Sequence, residues 1–345
     1  MIDLRSDTLT LPSKEMIACS LEAPLGDSGR LDALGRGGDP SVNKLEDYVS
    51  EITGKERAII LPSGTLGNHT AMLTYCRPGD VVLMDAGQHI FCTEKAACDS
   101  RFGQIKPIFY HLTSEGYPDT AEIAEILQGQ RPKLICVENT HNGAGGTCIP
   151  VPVLSEVRRL ADAAGIPVHM DGARLFNAAT ALETDVKTLC QYADSVMLCA
   201  SKGLGAPVGS VLCGSADFIL KASATRKFLG GSMRQAGILA AMMQYALEHN
   251  VPLLAQDHRR AELANQLLSG LKKLHIVNDV QTNILILDIT ATGLSVEELI
   301  EQAKAMGVWL SRSTDIHARM VFYHGITDQQ VYEMANIIKE LDESI

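Results

Sequence analysis

Lys202 stands in the run "SVMLCASKGLGAPVG", just past a stretch apolar enough to be a buried strand, with Gly203, Gly205 and Gly209 freeing the backbone around it. A lysine packed among small residues can rest neutral, and its amine is then a nucleophile toward a carbonyl. Asp171 ends a second such run, "GIPVHMDGAR", and the guanidinium of Arg174 follows three residues later. In open parallel sheets ligands lie outside the carboxyl ends of the strands, so polar residues that end strands converge on one site. Alone, Asp171 could equally cap a helix or pair with Arg174. "LPSGTLGN" sets Ser63, Gly64 and Thr65 between a strand and a helix. That junction offers backbone N–H groups, two hydroxyls and the positive end of a helix dipole to an anion such as phosphate. "VLMDAGQHIF" places His89 after a third strand, where the alternative is a solvated loop histidine. An anion cradle, a strand-end carboxylate and a lysine further along meet the needs of one cofactor, pyridoxal 5'-phosphate. Its phosphate must be held, its pyridine nitrogen kept protonated by a carboxylate, and its aldehyde captured by an amine. Arg174 then remains for the phenolic oxygen or for a substrate carboxylate, since its fork of donors suits either.

Such groups need strands that end together, and the sequence supplies them. "RAIILPSG", "DVVLMD", "KLICVEN", "IPVHMD", "SVMLCAS" and "GSVLCG" alternate with helical stretches such as "GNHTAMLTYC" and "PVLSEVRRLADAAG". That alternation predicts βαβ units, hence an α/β fold with a mainly parallel sheet covered by helices on both faces. After "FLGGS" the texture changes to long amphipathic helices and then to strand, helix, strand, helix. We expect three parts: residues 1–14 contributing to the site, a large cofactor-binding domain at 15–250, and a smaller C-terminal α/β domain at 251–345. Met233, Met242 and Met243 read as core filler or an interface. The 41 acidic residues outnumber the 30 basic ones, giving a formal charge of -11 with no basic cluster, which argues against a nucleic-acid partner. Nine cysteines, an odd number with no CxxC pair, fit free thiols in the cytoplasm. No run approaches the roughly 18 apolar residues of a membrane span, and no His, Cys or carboxylate spacing suggests a metal site.

The stretches "LRSDTLT", "GGDPSVNKLE", "PSGTLGN", "QHIF", "ENTHNGAGG", "HMDGARLFNA", "SKGLGAPVGSVL" and "GGSMRQAG" resemble, in this order, the L-threonine aldolases of the low-specificity type. These are aspartate-aminotransferase-like, fold-type I enzymes that depend on pyridoxal phosphate. The resemblance runs over nearly the whole chain. It implies a homo-oligomer, dimer or tetramer, with active sites shared between subunits, and cleavage of β-hydroxy-α-amino acids to glycine and an aldehyde. Residue by residue, it makes Lys202 the lysine that holds the cofactor, Asp171 the partner of the ring nitrogen, and Ser63, Gly64 and Thr65 the phosphate cradle. His89 would stack over the ring, and Ser6, Arg174 and Arg319 would hold the substrate carboxylate. His141 and Lys227 would lie near the substrate hydroxyl, against the alternatives of a capping histidine and a surface lysine. The proton acceptor is left open among His89, His141 and a bound water.

Two stretches depart from the family pattern. "GDSGRLDALGRGGDP" is longer than usual, carries Arg30 and Arg36 and lacks a tyrosine, and "RMVFYH" puts Phe322 and Tyr323 where a threonine and a histidine are common. At the edge of the site, a changed loop would admit a different β-substituent, and His324 could replace the missing histidine. The alternatives to aldol cleavage are β-elimination or transamination on the same cofactor, and a non-catalytic cofactor-binding protein.

Overall fold

The structure, a computed structural model, describes residues 1–345. Its strands are β1 (Ile2–Asp3), β2 (Arg57–Leu61), β3 (Val81–Asp85), β4 (Lys106–Tyr110), β5 (Leu134–Glu138), β6 (Val168–Gly172), β7 (Ser195–Cys199) and β8 (Ser210–Gly214), followed by β9 (His275–Ile276), β10 (Ile284–Asp288), β11 (Val308–Trp309), β12 (Ser311–Arg312) and β13 (His317–Val321). Seven of them form the central sheet, in the order β2-β8-β7-β6-β5-β3-β4. From β7 to β4 every pair is parallel, whereas β8 runs antiparallel to both β7 and β2. The cause is the connection between β7 and β8. It is too short for a crossover helix, so the chain must turn back on itself. Lys202 lies in that turn.

Strands β5 to β8 are buried along their whole length, the signature of a sheet covered on both sides. One face packs on helices Pro40–Thr53, Val151–Ala164 and Gly237–His249 through Leu45, Val49, Leu154, Val157 and Met243. The other packs on helices Gly64–Tyr75 and Ala216–Phe228 through Ala71, Phe218 and Ile219. Met242 and Met243 are core residues. Gly209 shows why glycine ends the lysine turn: its φ is +115°, and an added Cβ would meet the Met243 sulfur at 2.4 Å.

A second, antiparallel sheet, β12-β13-β10-β9, has its own core of Leu285, Leu287, Met320, Phe322 and Ile338, among others. The amino terminus is stitched to this region. β1 pairs in parallel with β11, and the Val321 N–H donates to the Leu4 carbonyl. From there the chain crosses to the large sheet through Ser6–Thr10.

Asp39 ties three segments together. Its buried carboxylate accepts the N–H groups of Ser41 and Val42, capping helix Pro40–Thr53, and those of Gly26 and Gly237. Replacing it with alanine strands these donors, and we expect a loss of about 3 kcal/mol in urea unfolding. A loss below about 1 kcal/mol would show that the clamp is dispensable.

Candidate active site

A cavity of about 570 Å³ opens at the carboxyl ends of the central strands, and its wall includes Ser6, His89, His141, Arg174, Lys202 and Arg319. Asp171, at the end of β6, is buried beneath it. Its Oδ1 accepts the Ala173 N–H at 3.0 Å and its Oδ2 accepts the Asn68 side-chain amide at 2.9 Å. No cation pairs with this carboxylate. Burial, reinforced by the nearby charges of Glu138 and Glu94, pushes its pKa up to about 7 against the opposing pull of Lys202 and His89.

Asn68 organises the floor of the site. Its amide nitrogen also faces Glu94 at 3.1 Å, and Glu94 in turn pairs with His89 Nδ1 at 3.0 Å. That hydrogen bond to Glu94 raises the His89 pKa, with burial opposing. Asn68 Oδ1 meets His169 Nε2 at 3.2 Å, and His169 Nδ1 meets the Ser195 hydroxyl at 2.9 Å. Burial pushes the His169 pKa down to about 4, so a neutral imidazole donates to Asn68 and fixes which way the amide points. The ligand atoms of His89, Glu94 and Asp171 all fall within 4.8 Å of one another, and the Asn68 amide bridges the two carboxylates.

Ser63, Gly64 and Thr65 lie outside the cavity wall, at the start of the helix that carries Asn68. Ser63 Oγ accepts the Leu66 N–H as an N-cap, while the amides of Gly64 and Thr65 find no acceptor in the chain. The helix spans twelve residues, Gly64–Tyr75, so these amides sit at the positive end of a full dipole. Two open amides, a buried carboxylate lacking its cation and a lysine beside it fit the phosphate, ring nitrogen and aldehyde of pyridoxal phosphate.

On the opposite wall, Arg174 is less available than its sequence position suggests. Its Nε and Nη2 donate to the two oxygens of buried Asp7 at 2.7 Å each, and its Nη1 donates to Asn142 Oδ1 at 3.0 Å. Arg319 Nη1 donates to the same Asn142 oxygen at 3.0 Å, yet Arg319 has no carboxylate partner. Burial, aided by the charge of Arg174, lowers its pKa to about 10. An acceptor shared by two guanidiniums marks where a carboxylate oxygen is wanted. Ser6 lies beside them, its oxygen accepting from the Thr8 hydroxyl at 2.9 Å, which leaves its own proton to donate.

Three strands of the central sheet carry carboxylates at their ends, and the three are used differently. Asp171 is held by Asn68 and the Ala173 amide. Glu138, at the end of β5, accepts the backbone N–H groups of His89 (2.6 Å) and Asn142 (2.8 Å) and so fixes both loops. Asp85, at the end of β3, accepts the Gly87 N–H and lies 3.0 Å from His141 Nε2.

Other expected residues lie elsewhere in the chain. Lys227 is exposed near the end of helix Ala216–Phe228, away from the cavity, beside Phe228 at 88% exposure. The loop from residue 26 to 38 also misses the cavity. It is held by Asp39, by Arg234 and by Ser223 on that same helix. Phe322 and Tyr323 belong to the small core, and His324 is exposed outside the cavity. Neither departure from the family pattern therefore alters the cavity wall within one chain. Sequence reading missed Asp7, Asn68, Asp85, Glu94, Asn142 and His169. A signal existed for His169, which stands two residues before Asp171 on one strand and so shares its face.

The α/β architecture and this strand-end site are those of a lyase, and the family model described as beta-eliminating lyase matches residues 3–292. The chain is 37% identical to the probable low-specificity L-threonine aldolase 2 of Arabidopsis thaliana, covering 99% of this chain and 98% of that one. It is also 37% identical to the low specificity L-threonine aldolase of Escherichia coli K12, with 97% of each covered. The threonine aldolase structure of Leishmania major shares the fold, with a TM-score of 0.80, 17% identity and coverage of 99% and 100%. The chain belongs to the low-specificity L-threonine aldolase family.

The Asp7–Arg174 pair supports a pH test. Burial alone would raise the Asp7 pKa, but the charge and hydrogen bonds of Arg174 hold it at about 2, below its ordinary 3.8. Its contribution is complete above about pH 4 and is lost as pH falls through about 2. Asp7→Asn should cost about 3 kcal/mol at neutral pH, and its gap from the parent should narrow by about 2 kcal/mol between pH 4 and pH 2. A gap constant across that window in urea titrations would refute the assignment.

Proposed function

We propose that this protein is a pyridoxal-phosphate-dependent aldehyde-lyase that cleaves the Cα–Cβ bond of L-threonine, L-allo-threonine or a related β-hydroxy-α-amino acid to glycine and an aldehyde. The observation that carries this reading is a buried carboxylate without a cation, Asp171, under the charge of Lys202, which lines a cavity together with the carboxylate-free guanidinium of Arg319. When bound, pyridoxal 5'-phosphate supplies an electron-accepting ring conjugated to the substrate α-carbon. Lys202 would hold its aldehyde, Asp171 its ring nitrogen, His89 its ring face, and the amides of Gly64 and Thr65, with the hydroxyls of Ser63 and Thr65, its phosphate.

The chain's own groups then choose the bond. Arg319, the remaining edge of Arg174 and the Ser6 hydroxyl grip the substrate carboxylate. Anchoring that end sets which α-carbon substituent stands perpendicular to the ring plane, and orientation decides what breaks. Asp171, held by Asn68 and backed by neutral His169, keeps a positive charge at the ring nitrogen. Within one chain Lys227 lies away from the cavity and could approach the substrate hydroxyl only from a second copy; we propose a homo-oligomer, dimer or tetramer, built across the face that carries Lys227, Phe228 and the 26–38 loop. Nine unpaired cysteines suit a reducing compartment, and we place the protein in the cytoplasm.

β-Elimination on the same cofactor is the second reading, and the description of the matched family favours it. Incubation with L-threonine, L-allo-threonine and phenylserine separates the two. We expect equimolar glycine and aldehyde, with activity reduced at least about a thousandfold in Lys202→Ala. Ammonia and a keto acid as the main products would contradict aldol cleavage.

A further inference from the structure

We propose that Asp85 is the catalytic residue that takes the proton of the substrate β-hydroxyl, with His141 as the positioning residue behind it; the inference rests on the aldolase reading above. Histidines are the obvious proton acceptors in this cavity, and hydrogen bonding argues against His141. His141 Nδ1 accepts the Ala144 N–H at 3.1 Å, so that nitrogen offers its lone pair to the backbone and the ring hydrogen sits on Nε2. The Nε2–H then donates to Asp85 Oδ2 at 3.0 Å, and the Gly87 N–H donates to the same oxygen at 2.7 Å. Both imidazole nitrogens of His141 are thus occupied, and it is 2% exposed. His89 is drawn to the ring side, tied to Glu94 and within 4.8 Å of Asp171.

Asp85 has what His141 lacks. Its Oδ2 is saturated by two donors, which lock the carboxylate plane, while Oδ1 makes no hydrogen bond to the chain. The residue lines the cavity on β3, two strands out from β6 in the sheet order. Gly143, Ala144 and Leu112 line the same cavity, so Asp85 shares its wall with small and apolar residues. The usual order of a histidine held by a carboxylate is reversed: here a histidine and a backbone amide hold a carboxylate of the cavity wall and leave its second oxygen free.

The step balances simply. The hydroxyl O–H bond breaks and its proton passes to Oδ1. The O–H electron pair becomes the second C–O bond of the aldehyde, and the Cα–Cβ pair stays with the α-carbon. Oδ1 then releases its proton to water in the open cavity, and the α-carbon regains one as glycine forms.

Asp85→Asn keeps the shape and removes the basic oxygen. We expect kcat/KM for L-threonine to fall about 10²- to 10³-fold. Exchange of the glycine α-hydrogen with deuterium oxide involves no β-hydroxyl and should stay within about twofold of the parent, as should the absorbance on reconstitution with pyridoxal 5'-phosphate. In the cofactor-free parent, long-range ¹⁵N–¹H spectra should show His141 protonated on Nε2. Threonine cleavage within about threefold of the parent would overturn the proposal, as would equal losses in cleavage and glycine exchange, or a selective loss of cleavage in His89→Gln but not in Asp85→Asn. A parent that exchanges no glycine hydrogen would instead sink the aldolase reading itself.

Discussion

A carboxylate buried at the end of a central strand, with no cation to neutralise it, is the constraint from which the rest of the site follows. Asp171 cannot hold its charge cheaply in that place, because a desolvated anion is costly unless paired and hydrogen-bonded. The fold supplies the hydrogen bonds from Asn68 and the Ala173 amide and leaves the pairing to a ligand. Lys202, in the turn forced by the short β7–β8 connection, lies close enough to weigh on the same charge. The neutral state of His169 matters for the same reason, since a charged imidazole there would supply the missing charge from the wrong side.

The second organising charge lies across the cavity. Asp7 sits on the segment that leads from the amino-terminal strand, paired with β11, and from Leu4, bonded to Val321 of the small sheet, to the large sheet. Its bidentate grip on Arg174 therefore fixes the two sheets relative to each other as well as the guanidinium. Asn283, between β9 and β10, approaches the same Asp7 oxygen at 3.4 Å and donates to the Phe322 carbonyl at 2.9 Å, which draws the small core into the arrangement. Arg319 is left with only neutral acceptors, and under the proposed function the substrate carboxylate would complete that charge balance.

Much of this was legible in the sequence because the fold writes its strands as short apolar runs and its site as the polar residues that end them. Asp171, Lys202, His89 and the helix start at Ser63 stand out in that way, and period-2 spacing would have added His169. What could not be read are partners set by tertiary approach. Nothing near Arg174 in sequence shows that Asp7, far away in the chain, would consume its fork. Asp85 was hidden by its neighbour, since a histidine four residues on looked the better chemist. The 26–38 loop is a related case: its anchors at Asp39, Arg234 and Ser223 carry it to a face away from its own chain's cavity, which sequence order does not show.

The central claim is that the carboxylate at position 171 is matched by a protonated pyridine nitrogen. The most direct measurement is the ¹⁵N chemical shift of ring-labelled pyridoxal 5'-phosphate bound to the protein at alkaline pH, where the free cofactor has lost that proton. The account predicts a protonated nitrogen in the parent and an unprotonated one in Asp171→Ala. An unprotonated nitrogen in the parent, or a shift indifferent to the substitution, would contradict it.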